Sequence, residues 1–274
     1  MTFDSLLRKC FAIALLLISH YLYGQGDRVT GSGLSPLPLH PFITGTGFRD
    51  CFINQAALAW IEDITAGIEY HSRFGMAELA VKSLFITVPH GKGSVGFRYS
   101  GYGFSELSSH SFSLSAGIPL SSNLAIGAEA GIETAVSPSL DATKLSASGQ
   151  AGMIWMATES TSIGIHLVNP FPGSQRLYSS PSAIRAGVSS ATGDKVSVSA
   201  VLEKSSRRSL SLASGISYDL NEMATVRAGF DTGTGSLGFT VIFRFAGFTS
   251  SVSFLTHNRL GISPVAAVTR SFGR

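Results

Sequence analysis

The sequence predicts an all-β protein: a transmembrane antiparallel up-and-down β-barrel of about fourteen strands, with an N-terminal segment acting as a plug. Three observations carry that expectation. From residue 64 almost to the C-terminus, bulky apolar residues alternate with small or polar ones. A period of two is the mark of strands with one greasy and one polar face. The 274-residue chain has 30 Gly and only 14% charged residues, yet after its N-terminus no run reaches the ~18 apolar residues that a spanning helix needs. Finally, the chain opens on an export signal.

That signal occupies residues 1–24. Arg8 and Lys9 precede the apolar run FAIALLLIS, which is too short to span a bilayer, and Gly24 offers a cleavage point. Its removal leaves Cys51 as the lone cysteine, so no internal disulfide can form and stability has to come from the sheet. The formal charge of +3 is spread along the chain, with no basic run longer than Arg207-Arg208. Nucleic-acid binding is excluded on that ground, because its footprint is a clustered patch.

Residues 25–62 read differently from the rest. They carry several prolines and glycines and show no sustained alternation, and prolines remove ladder donors and disfavour strands. Asn54 is a good N-cap, and Ala57, Leu58 and Ala59 favour helix, which predicts a short helix over 54–61. The segment is too long for a casual linker and is expected to tuck into the barrel, with Asn54, Gln55 and Trp60 as its contact residues.

Residues 63–274 then form the barrel. Strands are expected at 64–71, 79–88, 93–103, 110–118, 124–136, 145–156, 161–168, 183–190, 195–204, 209–219, 224–231, 236–245, 248–256 and 261–272. Most approach the ~9–11 residues with which a tilted strand crosses a bilayer. Connectors after even-numbered strands are tight, as in PHGK, PLSSN and ATGD, while those after odd-numbered strands tend to be longer, up to NPFPGSQRLYSSP at Asn169 to Pro181. Outer-membrane barrels turn tightly on their periplasmic side.

The greasy faces are those of Ile64, Ala66, Ile68 and Tyr70; Val95, Phe97 and Tyr99; and Leu237, Phe239, Val241, Phe243 and Phe245. They carry almost no charge, as a lipid-facing surface demands, since a Lys or Arg at mid-bilayer costs roughly 2–4 kcal/mol. Charges fall on the opposite face at Glu69, Arg98, Glu129, Glu133, Arg185, Glu203, Arg227, Asp231 and Arg244. Closure into a barrel would remove the unpaired edges that a bilayer does not tolerate. A secreted β-sandwich or solenoid, using the greasy face as its core, is the soluble alternative.

Two readings of the inward charges stand side by side. Arg98, Glu129, Glu133, Arg185, Arg227 and Arg244 could line a ligand path, or they could be an ion-pair network that fills the lumen; their near balance of sign favours filling. His166, also inward, is a further ligand or lumen candidate. Glu129 and Glu133 lie four residues apart on one strand, about 13 Å at strand rise, too far for a paired-carboxylate acid and base. The remaining histidines of the exported chain (His40, His71, His90, His110 and His257) lack paired metal-ligand spacing. The GTGSLG string at Gly233 to Gly238 precedes a strand instead of opening a helix, so it is a hairpin loop and not a nucleotide site. No catalytic residue, metal or cofactor is expected, and the chain is not read as an enzyme.

The strings GFRDCFINQAALAW, LFITVPHGKGSVGFRYSGYG, GIHLVNPFP and HNRLGISPVAAVTRSF resemble FadL-like and PorV/PorQ-type outer-membrane barrels of the Bacteroidetes. In the first string Gln55 stands where that group's Asn-Pro-Ala segment has Pro. The resemblance implies a fourteen-stranded barrel with an N-terminal plug, located in the outer membrane of a Gram-negative cell. It also implies one of two roles. FadL-like members pass hydrophobic molecules, so the partners would be outer-membrane lipid and a small hydrophobic ligand. PorV-type members serve type IX secretion, and the barrel would then be a structural platform for a secretion-machinery or surface protein, met through Asn169 to Pro181 and Arg207-Arg208.

Overall fold

The computed structural model describes residues 42–104, 107–137, 142–170, 182–206, 208–257 and 260–273. The expected export signal, residues 25–41, most of the loop from Asn169 to Pro181, and Arg207 lie outside them.

Fourteen antiparallel strands close into one barrel in sequence order. They are β1 (Ile64–His71), β2 (Val81–His90), β3 (Gly93–Phe104), β4 (Leu107–Pro119), β5 (Leu124–Ser137), β6 (Ala142–Met156), β7 (Thr161–Val168), β8 (Ala183–Thr192), β9 (Val196–Ser205), β10 (Ser211–Asn221), β11 (Ala224–Asp231), β12 (Ser236–Phe245), β13 (Phe248–His257) and β14 (Gly261–Phe272). The seam is formed by β1 and β14, paired from Ile64↔Phe272 to His71↔Val265. Closure leaves no sheet edge and rules out the sandwich and the solenoid.

The barrel is apolar outside and polar inside. Ile68, Leu114, Leu145 and Phe245 are 61%, 67%, 65% and 75% exposed, so the outer face is a continuous apolar surface. Between them, Ser83, Ser100, Ser113, Ser115, Thr225, Thr240, Ser253 and Thr269 point inward and are buried. One consequence of the period-two sequence is therefore a lumen lined largely by hydroxyls and glycines.

Short turns cluster at one end. Between Phe245 and Phe248 the chain reverses in two residues, Ala246 (φ 49°) and Gly247 (φ 78°). Two left-handed residues give the turn whose twist matches a hairpin. The expected contrast between the two ends is corrected in part. The connectors 72–80 and 169–182 are long, but β3–β4, β11–β12 and β13–β14 are joined by 105–106, 232–235 and 258–260. Residues Arg73–Gly75 and Ala77–Leu79 of the first long connector form single 3-10 turns. GTGSLG is a hairpin turn running into β12, as its context requires.

Candidate functional site

The segment from Phe42 to Glu62 lies against the inner wall. It holds a 3-10 helix at Gln55–Trp60, within the range where the sequence predicted a short helix, and a further 3-10 turn at Asp50–Phe52 that the sequence did not predict. The N-cap is as expected: the Asn54 side chain accepts a hydrogen bond from the Ala56 N–H at 3.2 Å. The helix runs from Asn54, anchored to the wall, to Trp60, and strand β1 starts at Ile64.

Glycines make the seat. Gly117, Gly127 and Gly152 face inward and are direct partners across β4, β5 and β6. A methyl group on Gly127 would run into the Gln55 carbonyl, one on Gly117 into Gln55 and Leu58, and one on Gly152 into the Asn54 amide. Close by, Gly164 and Gly187, partners across β7 and β8, leave room for Ile43 and Thr44. On this floor Cys51, Phe52, Ala56, Ala57 and Leu58 form a buried apolar cluster with Phe85, Ala125 and Ile154 of the wall. The Phe52 and Phe85 rings are 4.8 Å apart, with Phe48 edge-on to both. Burial pushes the Cys51 thiol well above its ordinary range, with the Asp50 carboxylate adding to the shift. The thiol stays protonated and donates to the Phe48 carbonyl at 2.8 Å.

Polar ties hold the same segment. The Asn54 amide group donates to the Ile43 carbonyl at 3.0 Å and lies within donating distance of the Met153 and Ile165 carbonyls, at 3.3 and 3.4 Å. Gln55 donates to Gln150 at 3.5 Å, Gln150 to Glu129 at 2.7 Å, and Arg98 to the same Glu129 oxygen at 2.7 Å. Gln55 occupies the first helical position, where Pro is common because that N–H has no helical partner. Glutamine satisfies the backbone equally well there and adds this side-chain link.

Around the rest of the wall, Thr44 meets Ser189 at 2.5 Å, Arg49 pairs with Glu69 at 2.6 Å, and Asp50 lies 3.7 Å from Arg227. The Arg227 guanidinium also covers the Phe42 ring, 4.7 Å from its centroid. The segment thus touches strands on every side of the lumen.

The inward charges mostly form the ion-pair filling. Arg98 and Glu129 are buried together, and Arg185 bonds Glu203 at 2.6 Å while its other arm lies 3.5 Å from His166 Nδ1. His166, Arg185 and Glu203 are successive partners across β7, β8 and β9. Glu133 stands apart and accepts from Ser109 at 2.9 Å. Arg244 is not in the centre: it is exposed at the short-turn end and donates to Thr225 at 2.8 Å. Trp60 is partly buried against the apolar cluster, whereas Asn54 and Gln55 are fully buried. Gln55 Oε1, Glu129 Oε2 and Arg98 Nε are buried with no hydrogen-bond partner, so the network has unused polar capacity.

Sequence reasoning missed Arg49, Asp50 and Gln150. A signal for the first two was present: between residues 29 and 61 they are the only Asp, Glu, Lys or Arg. Two charges isolated in an apolar, aperiodic stretch mark where it grips a wall bearing opposite charges.

No protein-family model matches the chain, and no curated protein matches it. Solved structures do. A FadL homologue of Pseudomonas aeruginosa superposes with a TM-score of 0.58 at 12% identity, covering 81% of this chain and 94% of that one. The toluene transporter TbuX of Ralstonia pickettii gives 0.61 at 13%, over 80% and 92%. The toluene transporter TodX of Pseudomonas putida gives 0.55 at 11%, over 81% and 93%. At such identities the likeness speaks to architecture, and this chain has the closed fourteen-stranded barrel fold of the FadL-type transporters.

Proposed function

We propose that the chain is an outer-membrane protein that passes a small hydrophobic molecule, with its N-terminal segment as the plug. The observation that carries this reading is the arrangement of residues 42–62, gripped on all sides of a barrel whose outer face is apolar. A fourteen-stranded lumen is too wide for its own strand side chains to fill, and here the wall is mostly serine, threonine and glycine. The inner segment supplies the missing volume. Shared architecture with two toluene transporters supports a hydrophobic passenger, and the resemblance of the N-terminal string to Bacteroidetes barrels supports the plug placement of the N-terminus. The export signal at 1–24 belongs to this reading.

Passage requires the plug to shift, which is tested by single-channel conductance in planar bilayers. The wild type is expected to be nearly silent, and a barrel lacking residues 26–60 to conduct ions steadily. A wild type as open as the deletion would sink the plug. Uptake of labelled toluene by Gram-negative cells with an intact lipopolysaccharide leaflet tests the passenger, and uptake unchanged by expression of the chain would sink transport.

A further inference from the structure

Among the described residues, the outward surface of the barrel carries one cation held between aromatic rings, with no counter-charge beside it. Among the described strand residues, three charged side chains point outward: Lys82, Lys204 and Arg270. All three are basic. Lys82 and Lys204 sit near the end with the long connectors, and Lys204 donates to the Arg208 carbonyl at 3.2 Å. Arg270 lies at the other end, two residues before the end of β14 and opposite Phe248, the first residue of β13.

The Arg270 guanidinium is held by rings. Its central carbon is 5.0 Å from the Phe248 centroid and 5.1 Å from the Phe272 centroid, within reach of the attraction between a cation and an aromatic face. The side chain is exposed, and among the described residues it makes no hydrogen bond or ion pair. Phe243 and Phe245 extend the same aromatic patch toward the turn and are 53% and 75% exposed.

Depth explains how such a charge is tolerated. At mid-bilayer an outward arginine costs roughly 2–4 kcal/mol, whereas near the interface the cost falls to about 0–1 kcal/mol. Aromatic girdles mark that interface, and Arg270 sits inside one, level with the short turns. A guanidinium stacked by two rings keeps its planar N–H edge free, and that edge matches two phosphate oxygens at once.

We infer that Arg270, with Phe248 and Phe272, forms a binding site for the phosphate of an anionic glycerophospholipid in the periplasmic leaflet. The rings fix the guanidinium, the strand ends place it at headgroup height, and the lipid supplies the counter-charge that none of the described residues provides. This site rests on the membrane placement proposed above, with short turns on the periplasmic side.

The test uses the full exported chain in nanodiscs of phosphatidylcholine containing a minority of phosphatidylglycerol, with co-purifying lipid read by native mass spectrometry. Wild type is expected to retain phosphatidylglycerol roughly fivefold over its share of the disc, the scale of one interfacial basic residue. Arg270→Gln is expected to lose that enrichment, Phe248→Ala to reduce it, and Lys82→Gln to keep it. Equal enrichment in wild type and Arg270→Gln overturns the site while leaving the membrane reading intact. In discs that also contain lipid A, preferential retention of lipid A through Arg270 overturns the assignment to the periplasmic leaflet. A chain that fails to insert into lipid at all overturns the membrane reading and the site together.

Discussion

Arg49 and Glu69 join the inner segment to the seam of the barrel. Arg49 Nη2 donates to Glu69 on β1 at 2.6 Å, and Nη1 donates to Ser251 on β13 at 2.6 Å. Ala267 of β14 is the partner of both residues in the sheet, so one guanidinium reaches across a small side chain to clasp three strands.

The Glu69 side chain is almost wholly buried beside this arginine. Arg49→Gln leaves its carboxylate without that partner and is expected to destabilise the inserted barrel by about 2–4 kcal/mol, since breaking a buried pair strands a charge. Urea unfolding in lipid measures this. The double variant Arg49→Gln with Glu69→Gln should recover most of the loss, and failure to recover would show that the contact matters through packing alone.

Gly127 is the centre of the seat. Gly127→Val is expected to expel the Gln55 turn while leaving the wall closed, so the purified barrel should still fold and its ion conductance should rise well above wild type. Gly149→Ala is a control on the outward face of the next strand, where an added methyl group meets only the Glu129 carbonyl at 3.8 Å. It should conduct as wild type does.

Asn54 combines an N-cap with donation to carbonyls of the segment and the wall. Asn54→Ala is expected to cost about 2–4 kcal/mol, roughly 1 for the cap and the remainder for the lost donation to buried carbonyls. Asn54→Asp keeps the capping oxygen but loses the donor and buries a charge, so it should fall below Asn54→Ala in the same unfolding series.

Ala246 adopts a positive φ in the two-residue turn between β12 and β13, a conformation that costs a residue with a β-carbon about 1 kcal/mol. Ala246→Asn creates the Asn-Gly pair favoured in such turns. It is expected to raise the midpoint of thermal unfolding, and a lowered midpoint would count against the turn as described.

The Cys51 thiol is buried, and its burial favours the neutral form. At neutral pH a maleimide should label it only after unfolding. Because the folded-state value lies above the ordinary thiol value of 9.0, the stabilisation is complete below that pH and is lost as pH rises beyond it. The stability difference between wild type and Cys51→Ala should therefore shift against wild type above about pH 9.

Much of the wall was legible in the sequence because a strand with one apolar and one polar face must alternate, and alternation is local. Strands β1, β7, β11, β12 and β14 fall on the ranges expected, and the inward placement of Glu69, Arg98, Glu129 and Arg185 follows from parity alone. What parity does not carry is which inward residue meets which. The pairing of Arg98 with Glu129 skips β4, whose inward Ser115 is small enough to let the long side chain pass. The inner segment was legible as an anomaly but not in its contacts, since a 3-10 turn that takes its shape from a wall shows no period of its own. Its seat was nonetheless written in β4, β5 and β6 as inward glycines at Gly117, Gly127 and Gly152, whose meaning depends on the register between strands.

The inner segment precedes β1 in the chain, and the barrel closes where β1 meets β14, its first strand and its last. Arg49 ties the segment to strands on both sides of that seam, so the residues that occupy the lumen also brace the joint at which the first strand meets the last.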